Sequence, residues 1–264
     1  VSDGTARTIA NPYSFGSGAV LGGSGTGSLT FTAGTTLEGA TTVSADVSSV
    51  ILSGVIGGSG SLTKVNDGTL TLRGANTFSG GTTVTAGKFF IGNNSALGTG
   101  VLTVSGGTVS SDGTTARTLS NGLALGGVMT FGTTTNNGLL TFNGAGNLTA
   151  DTTLTTASGV VLGGALGGAF SLTKAGAATL TLSGANTFSG GLFLEEGTLA
   201  LTSANPLATD ITVRAASTIR LLNDGSTNLG TISYAKGIAT ISSAPGFTLQ
   251  IGSGGAGLGK TMEL

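Results

Sequence analysis

The sequence predicts an all-β solenoid built from an internal duplication. The stretch from Leu62 to Gly81 occurs twice. Apolar residues alternate with polar ones in short clusters bounded by Gly, Asn, Asp or Ser. No run of about ten residues carries the 3.6-residue period of a helix, and Thr and Gly are too frequent for one.

The first copy reads Leu62-Thr-Lys-Val-Asn-Asp-Gly-Thr-Leu-Thr-Leu-Arg-Gly-Ala-Asn-Thr-Phe-Ser-Gly-Gly81. The second reads Leu172-Thr-Lys-Ala-Gly-Ala-Ala-Thr-Leu-Thr-Leu-Ser-Gly-Ala-Asn-Thr-Phe-Ser-Gly-Gly191. They lie about 110 residues apart, and the duplication reaches upstream. Asp3-Gly4-Thr5 through Arg7 returns as Asp112-Gly113-Thr114 through Arg117. Gly27-Ser-Leu-Thr-Phe31 returns as Gly138-Leu-Leu-Thr-Phe142, and Val50-Ile-Leu52 as Val160-Val-Leu162. Repeat one is roughly residues 1–110 and repeat two roughly 111–216. The tail, about 217–264, begins a diverged third copy, and 1–264 reads as one continuous solenoid. Short strands with turn signals would also fit a sandwich or barrel. Duplication decides for a solenoid, because neighbouring repeats bury a continuous core by stacking. A rung of roughly 20–25 residues gives about a dozen rungs.

Each element follows from local chemistry. In Thr69-Leu70-Thr71-Leu72-Arg73 the alternation turns the leucines inward and the threonines outward. Gly74 and Gly184 break the strand. Asn76 and Asn186 tolerate a left-handed backbone and suit a tight corner. Phe78 and Phe188 are placed to plug the core just past it. Gly80-Gly81 and Gly190-Gly191 make a second turn, and Thr82-Thr83-Val84-Thr85 is a further β-branched strand. In the tail, Thr218–Leu222, Gly230–Tyr234, Ile238–Ile241 and Phe247–Ile251 read as strands that continue the coil.

This motif resembles the passenger-associated transport repeat of bacterial autotransporters and related surface proteins. The likeness covers Leu62 to Leu97 and Leu172 to Leu207, including Gly87 and Gly197-Thr198-Leu199. The second copy has Thr198-Leu199-Ala200 where the first has Lys88-Phe89-Phe90. The resemblance implies a right-handed parallel β-helix exported to the cell surface.

The totals narrow the function classes. The chain has 264 residues, 50 Gly and 3 Pro, with 8% charged and 5% aromatic residues. Such a composition could be a linker, but the mean hydropathy of +0.38 and the strand spacing of the apolar residues argue for a packed fold. Net charge is −1 and no basic stripe exists, which argues against a nucleic acid partner. There is no Cys, so no disulfide framework, and no apolar run reaches about 18 residues, so no membrane-spanning helix is expected. The chain begins at Val1 without a signal peptide, which reads as a processed protein or a piece of a longer one.

Candidate chemistry is sparse. Gly254-Gly-Ala-Gly-Leu-Gly259-Lys260-Thr261 matches a phosphate-binding loop. Only Met262-Glu263-Leu264 follow it, so the residues favour a glycine-rich turn. Gly22-Gly-Ser-Gly-Thr-Gly27 lacks a βαβ context and reads as a corner. Among the acids only Glu195 and Glu196 adjoin, beside Gly197, and neighbours on a strand face apart. The chain has no His, which removes the usual general base and metal ligand. The expectation is therefore no catalytic residue, no cofactor and no metal. Asp3/Arg7 and Asp112/Arg117 match between copies, as do Lys64 and Lys174. They fit a ligand ladder along one face or, preferably, a corner ion pair and an exposed lysine. Phe15, Phe31, Phe78, Phe131, Phe142, Phe170, Phe188 and Phe247 suit core stacking better than a sugar-binding stripe.

The expectation is a structural, non-enzymatic segment of an exported surface protein: a stalk, adhesin shaft or fibre. Its partners would be further repeats of a longer chain or other copies stacked end to end, since neither terminus reads as a cap. A glycan- or surface-binding adhesin module is the alternative, with a polysaccharide-active β-helix enzyme behind it. Circular dichroism of the chain should show a β-rich spectrum with negligible helix. A helical content near the one third common in globular domains would overturn the solenoid.

Overall fold

A computed structural model describes residues 4–21, 27–46, 49–202, 207–223, 238–240, 246–253 and 260–263. Every regular element among them is a strand. The strands wind as a parallel β-solenoid of about ten turns, close to the dozen expected. The glycine run at 22–26, the loop at 254–259, Asp3 and the strand expected at Gly230–Tyr234 lie outside the described residues.

Each turn has three sides. The first side starts at Arg7–Ile9 and runs through Leu29–Phe31, Ser49–Leu52, Thr69–Leu72, Lys88–Ile91 and Thr108–Ser111. It continues through the ends of Leu123–Phe131 and Gly146–Thr156 to Leu172–Ala175, Leu192–Leu194, Ile211–Val213 and Ile238–Thr240. The third side stacks Ala19–Leu21, Thr41–Ser44, Leu62–Val65, Thr82–Val84 and Leu102–Val104. Above them come the starts of Leu123–Phe131 and Gly146–Thr156, then Leu166–Gly167. These two long strands bend from the third side into the first, with a register shift between Leu125 and Gly127. The second side is regular at Tyr13–Phe15, Thr35–Leu37 and Ile56–Gly58 and again from Arg117–Leu119 to Thr248–Ser253.

Alternation fills the interior. Val50, Leu70, Phe89 and Val109 stack in one inward column, and Leu52, Leu72 and Ile91 in the next. All are fully buried. Burying each such side chain contributes about 1.5–3 kcal/mol. Phe78 and Phe188 are fully buried plugs, and Phe31, Phe131, Phe142 and Phe247 are also in the core. Phe170 departs from the expected stacking: it is 41% exposed. Thr71 departs too. It faces outward, yet it is only 4% exposed between Ile51 and Phe90 of the same outward column.

The motif glycines follow from stacking. A Cβ on Gly74 would lie 2.3 Å from the Gly54 carbonyl oxygen of the turn below. One on Gly190 would lie 2.3 Å from the Phe170 carbonyl carbon. Corners that stack backbone on backbone at about 4.8 Å leave no room for a side chain.

The duplication does not close on a whole number of turns. Leu62–Val65 stands on the third side, whereas its counterpart Leu172–Ala175 stands on the first. Five turns above Leu62 the third side holds Leu166, and Leu172 begins the next side. The second copy is therefore rotated by one face, and matching residues cannot share one column. The less favoured alternative, a ladder of Arg7/Arg117 and Lys64/Lys174 along one face, is ruled out by this rotation. The tail differs as well. Ile238–Thr240 and Thr248–Ser253 continue the parallel coil, but Lys260–Glu263 turns back antiparallel onto Thr248–Ile251.

Thr41 and Thr82 face the core on the third side, each 1% exposed, and their hydroxyls lack a partner. An unsatisfied buried hydroxyl costs about 1–3 kcal/mol. Thr41→Val and Thr82→Val should each raise the urea midpoint, by about 1 kcal/mol of stability. On the second side, Leu180→Asp should abolish the cooperative transition while Thr181→Asp, on the outward face, lowers the midpoint only modestly. Equal effects at positions 180 and 181 would contradict the half-buried strand.

Candidate functional site

The duplicated motif carries two polar devices, and both are internal. The first is the corner asparagine. Asn76 is 3% exposed and Asn186 is 2% exposed. Asn76 Oδ1 accepts from the Ile56 amide at 2.8 Å, and its Nδ2 donates to the Ala96 carbonyl at 2.6 Å. One side chain thus bridges the turns below and above it. Asn186 Oδ1 accepts from the Leu166 amide at 2.9 Å, and its Nδ2 donates to the Gly184 carbonyl at 2.8 Å. Neither asparagine has a left-handed backbone, contrary to expectation. That conformation belongs to Asn66, with φ 61. At Asn76 the residue is needed because an amide both donates and accepts. Gly81 and Gly191, with φ 83 and 106, do occupy the glycine-favouring region.

The second device is the lysine. Lys64 and Lys174 are fully buried rather than exposed. Each side chain points inward because it shares the parity of Leu62 or Leu172 two residues before. Lys64 Nζ donates to the carbonyls of Val65 at 2.6 Å, Asn66 at 2.6 Å and Ala86 at 3.4 Å. Lys174 Nζ donates to those of Ala175 at 3.0 Å, Gly176 at 2.6 Å and Glu196 at 2.9 Å. The acceptors correspond position for position. Asn66 and Gly176, with φ 61 and 78, turn two successive carbonyls toward the ammonium. The third carbonyl comes from the turn above. Burial pulls Lys64 down to about 8, against the opposing attraction of Asp67 and Asp46. Burial does the same to Lys174, also to about 8, opposed by Glu196. The alternation in Leu-Thr-Lys was the signal that could have placed these lysines inside.

The remaining candidates lie apart. Asp112 Oδ1 accepts from Arg117 Nη2 at 2.9 Å, and Asp112 Oδ2 from Arg73 Nε at 3.2 Å. This is the corner ion pair expected for Asp112/Arg117, extended by one residue. Arg7 is exposed. Glu195 and Glu196 sit on the corner before Gly197, as expected, and are exposed. Glu195 Oε1 lies 3.4 Å from Arg214 Nη1, whose guanidinium stands 3.7 Å over the Phe193 ring. Asp151 Oδ1 accepts from the Ser171 amide at 2.9 Å and hydroxyl at 2.8 Å, which holds its carboxyl below the usual range. Lys260 and Thr261 stand in a strand, so they do not open the helix that a phosphate loop requires. Among the described residues no cluster of acids suits a metal, and no helix is long and apolar enough to cross a membrane. An open cavity of about 570 Å³ lies beside the Lys64 corner, lined by Asp46, Val65, Asn66, Asp67, Thr85 and Ala86.

On the outside, the third side presents Thr42, Thr63, Thr83 and Thr103 in register. All are half-buried, and their hydroxyls make no hydrogen bond to another described residue.

The family model for the passenger-associated transport repeat matches residues 62–88 and 172–201. The chain carries two passenger-associated transport repeats. Each match begins two residues before the inward lysine and ends beyond the carbonyl that this lysine reaches in the next turn. The chain is also similar to the adhesin BmaC autotransporter of Brucella suis biovar 1 (strain 1330), 35% identical over 175 residues. That similarity covers 66% of this chain but 4% of that protein. No solved structure matches.

The buried lysines set a pH dependence. Their folded values of about 8 lie below the ordinary 10.5, so charging them costs more in the folded state. That cost is fully present below about pH 8 and disappears as pH rises from about 8 to 10.5. The urea midpoint should therefore rise between pH 7 and pH 9.5. In a Lys64→Met/Lys174→Met variant this rise should vanish, and its persistence there would assign it to other groups.

Proposed function

We propose that this chain is a structural, non-enzymatic segment of an exported, adhesin-like passenger, acting as a shaft or fibre element. One observation carries this reading. Both transport repeats spend their polar residues on stacking one turn upon the next, through Asn76, Asn186, Lys64 and Lys174. A solenoid built this way lengthens without enlarging its core. The family of the repeats and the adhesin autotransporter similar to this chain support export to the cell surface. End-to-end continuation, with further repeats or with other copies, fits the parallel strands at the Arg7 end, where turns can add and such a contact does not close. At the other end Lys260–Glu263 lies antiparallel on Thr248–Ile251 and would have to give way.

A second reading is a glycan-binding face. The aligned threonines 42, 63, 83 and 103 favour it, since free hydroxyls at about 4.8 Å spacing offer a regular hydrogen-bonding surface. A glycan array probed with the chain and with a Thr63→Val/Thr83→Val variant separates the two. The shaft expects no specific binding by either protein. Binding by the parent that the variant loses would replace the shaft with a binding module. Electron microscopy over a concentration series tests the fibre: filaments support self-stacking, whereas a persistent monomer restricts stacking to covalent neighbours.

A further inference from the structure

Each matched repeat ties its own two ends together. The lysine lies near the start, at Lys64 or Lys174, and the carbonyl of Ala86 or Glu196 lies near the end. The sequence distance spanned is 22 residues in both copies. The cage is built the same way twice. A left-handed residue aims two neighbouring carbonyls at the ammonium, and the turn above adds a third. Room for the ammonium depends on Gly87, where a Cβ would stand 2.6 Å from Lys64 Nζ. Gly87 and its counterpart Gly197 share φ values of 71 and 73. Asp46 and Asp67 flank the first cage and Glu196 the second, so each ammonium has at least one carboxylate nearby.

We propose that Lys64 and Lys174 are cationic latches, each ammonium fastening the corner of the next turn onto its own, so that each transport repeat is a self-closed turn. The ammonium takes the place that a bound cation would hold among carbonyl oxygens, and it cannot dissociate because the chain carries it. The latch fixes register where strand alternation alone does not. A slip by two residues would keep every side chain on its own face but would carry the charge out of the cage. Because the two copies face different sides, the latches brace the solenoid from two directions. Turns without a latch lack this charged tie between corners, so opening should start in them and stop at the latched turns.

Three measurements on the whole chain test the latch. In the parent protein, acetylation followed by peptide mass spectrometry should modify exposed Lys88 at least about tenfold faster than Lys64 or Lys174. Comparable rates would overturn the proposal. In Lys64→Met, which keeps apolar bulk but removes the donors, amide exchange should accelerate about tenfold or more around 82–88 and stay unchanged around 192–197. Lys174→Met should do the reverse. Unchanged exchange in both variants would show that the lysines only fill space. In Lys64→Ala, ethylammonium should restore the lost protection, whereas tetramethylammonium at equal ionic strength should not. Equal effects of the two salts would reject a hydrogen-bonding cage. If the substituted chains do not fold, the acetylation pattern of the parent decides alone.

Discussion

Every feature of this molecule depends on one geometric constraint. Each turn must lay its backbone about one strand spacing from the turn beneath it. Parallel ladders on the sides meet that demand with main-chain hydrogen bonds. The corners meet it less easily, since a bend brings carbonyls and amides together without a regular partner. Gly74 and Gly190 serve there because a Cβ would overlap the backbone of the adjacent turn. Asn76 serves because its amide supplies a donor upward and an acceptor downward.

The lysines answer the same demand more strongly. Three carbonyls converge on Lys64 Nζ, and three on Lys174 Nζ. A buried ammonium is costly unless its protons are all used, and here each has an acceptor. Among the described residues the other buried side chains are uncharged. The lysines thus connect successive corners, a task that burial of leucine does not perform. The repeat that marks autotransporter passengers is accordingly legible as a stacking unit, with its polar residues turned inward and its outer surface left largely to threonine.

Rotation of the second copy by one face has a consequence for the surface. A duplicated sequence invites the expectation of a duplicated face, with matching residues in file. The turns take about 20 residues each, and the 110-residue unit is not a multiple of that. Outward columns are therefore assembled from residues that do not correspond in the alignment. The threonine column on the third side, from Thr42 to Thr103, is confined to the first copy, and Ala124 stands above it.

By itself the sequence determined the fold class, the strand positions and the inward leucines. These rest on local alternation and on turn residues, both of which act over a few positions. It also held the orientation of Lys64, since Leu62 and Lys64 share a parity, although a charged residue on a surface-like motif argues the other way. Tertiary structure alone decided which groups of other turns the lysine and asparagine side chains meet, because Ala86, Glu196, Ile56, Ala96 and Leu166 lie about one turn from them and belong to no local pattern. It decided that Thr71 is covered, through Ile51 and Phe90 of neighbouring turns, and that Phe170 is not. It also decided the face on which each copy stands. That depends on the summed lengths of all intervening corners, a quantity that no single stretch of the chain contains.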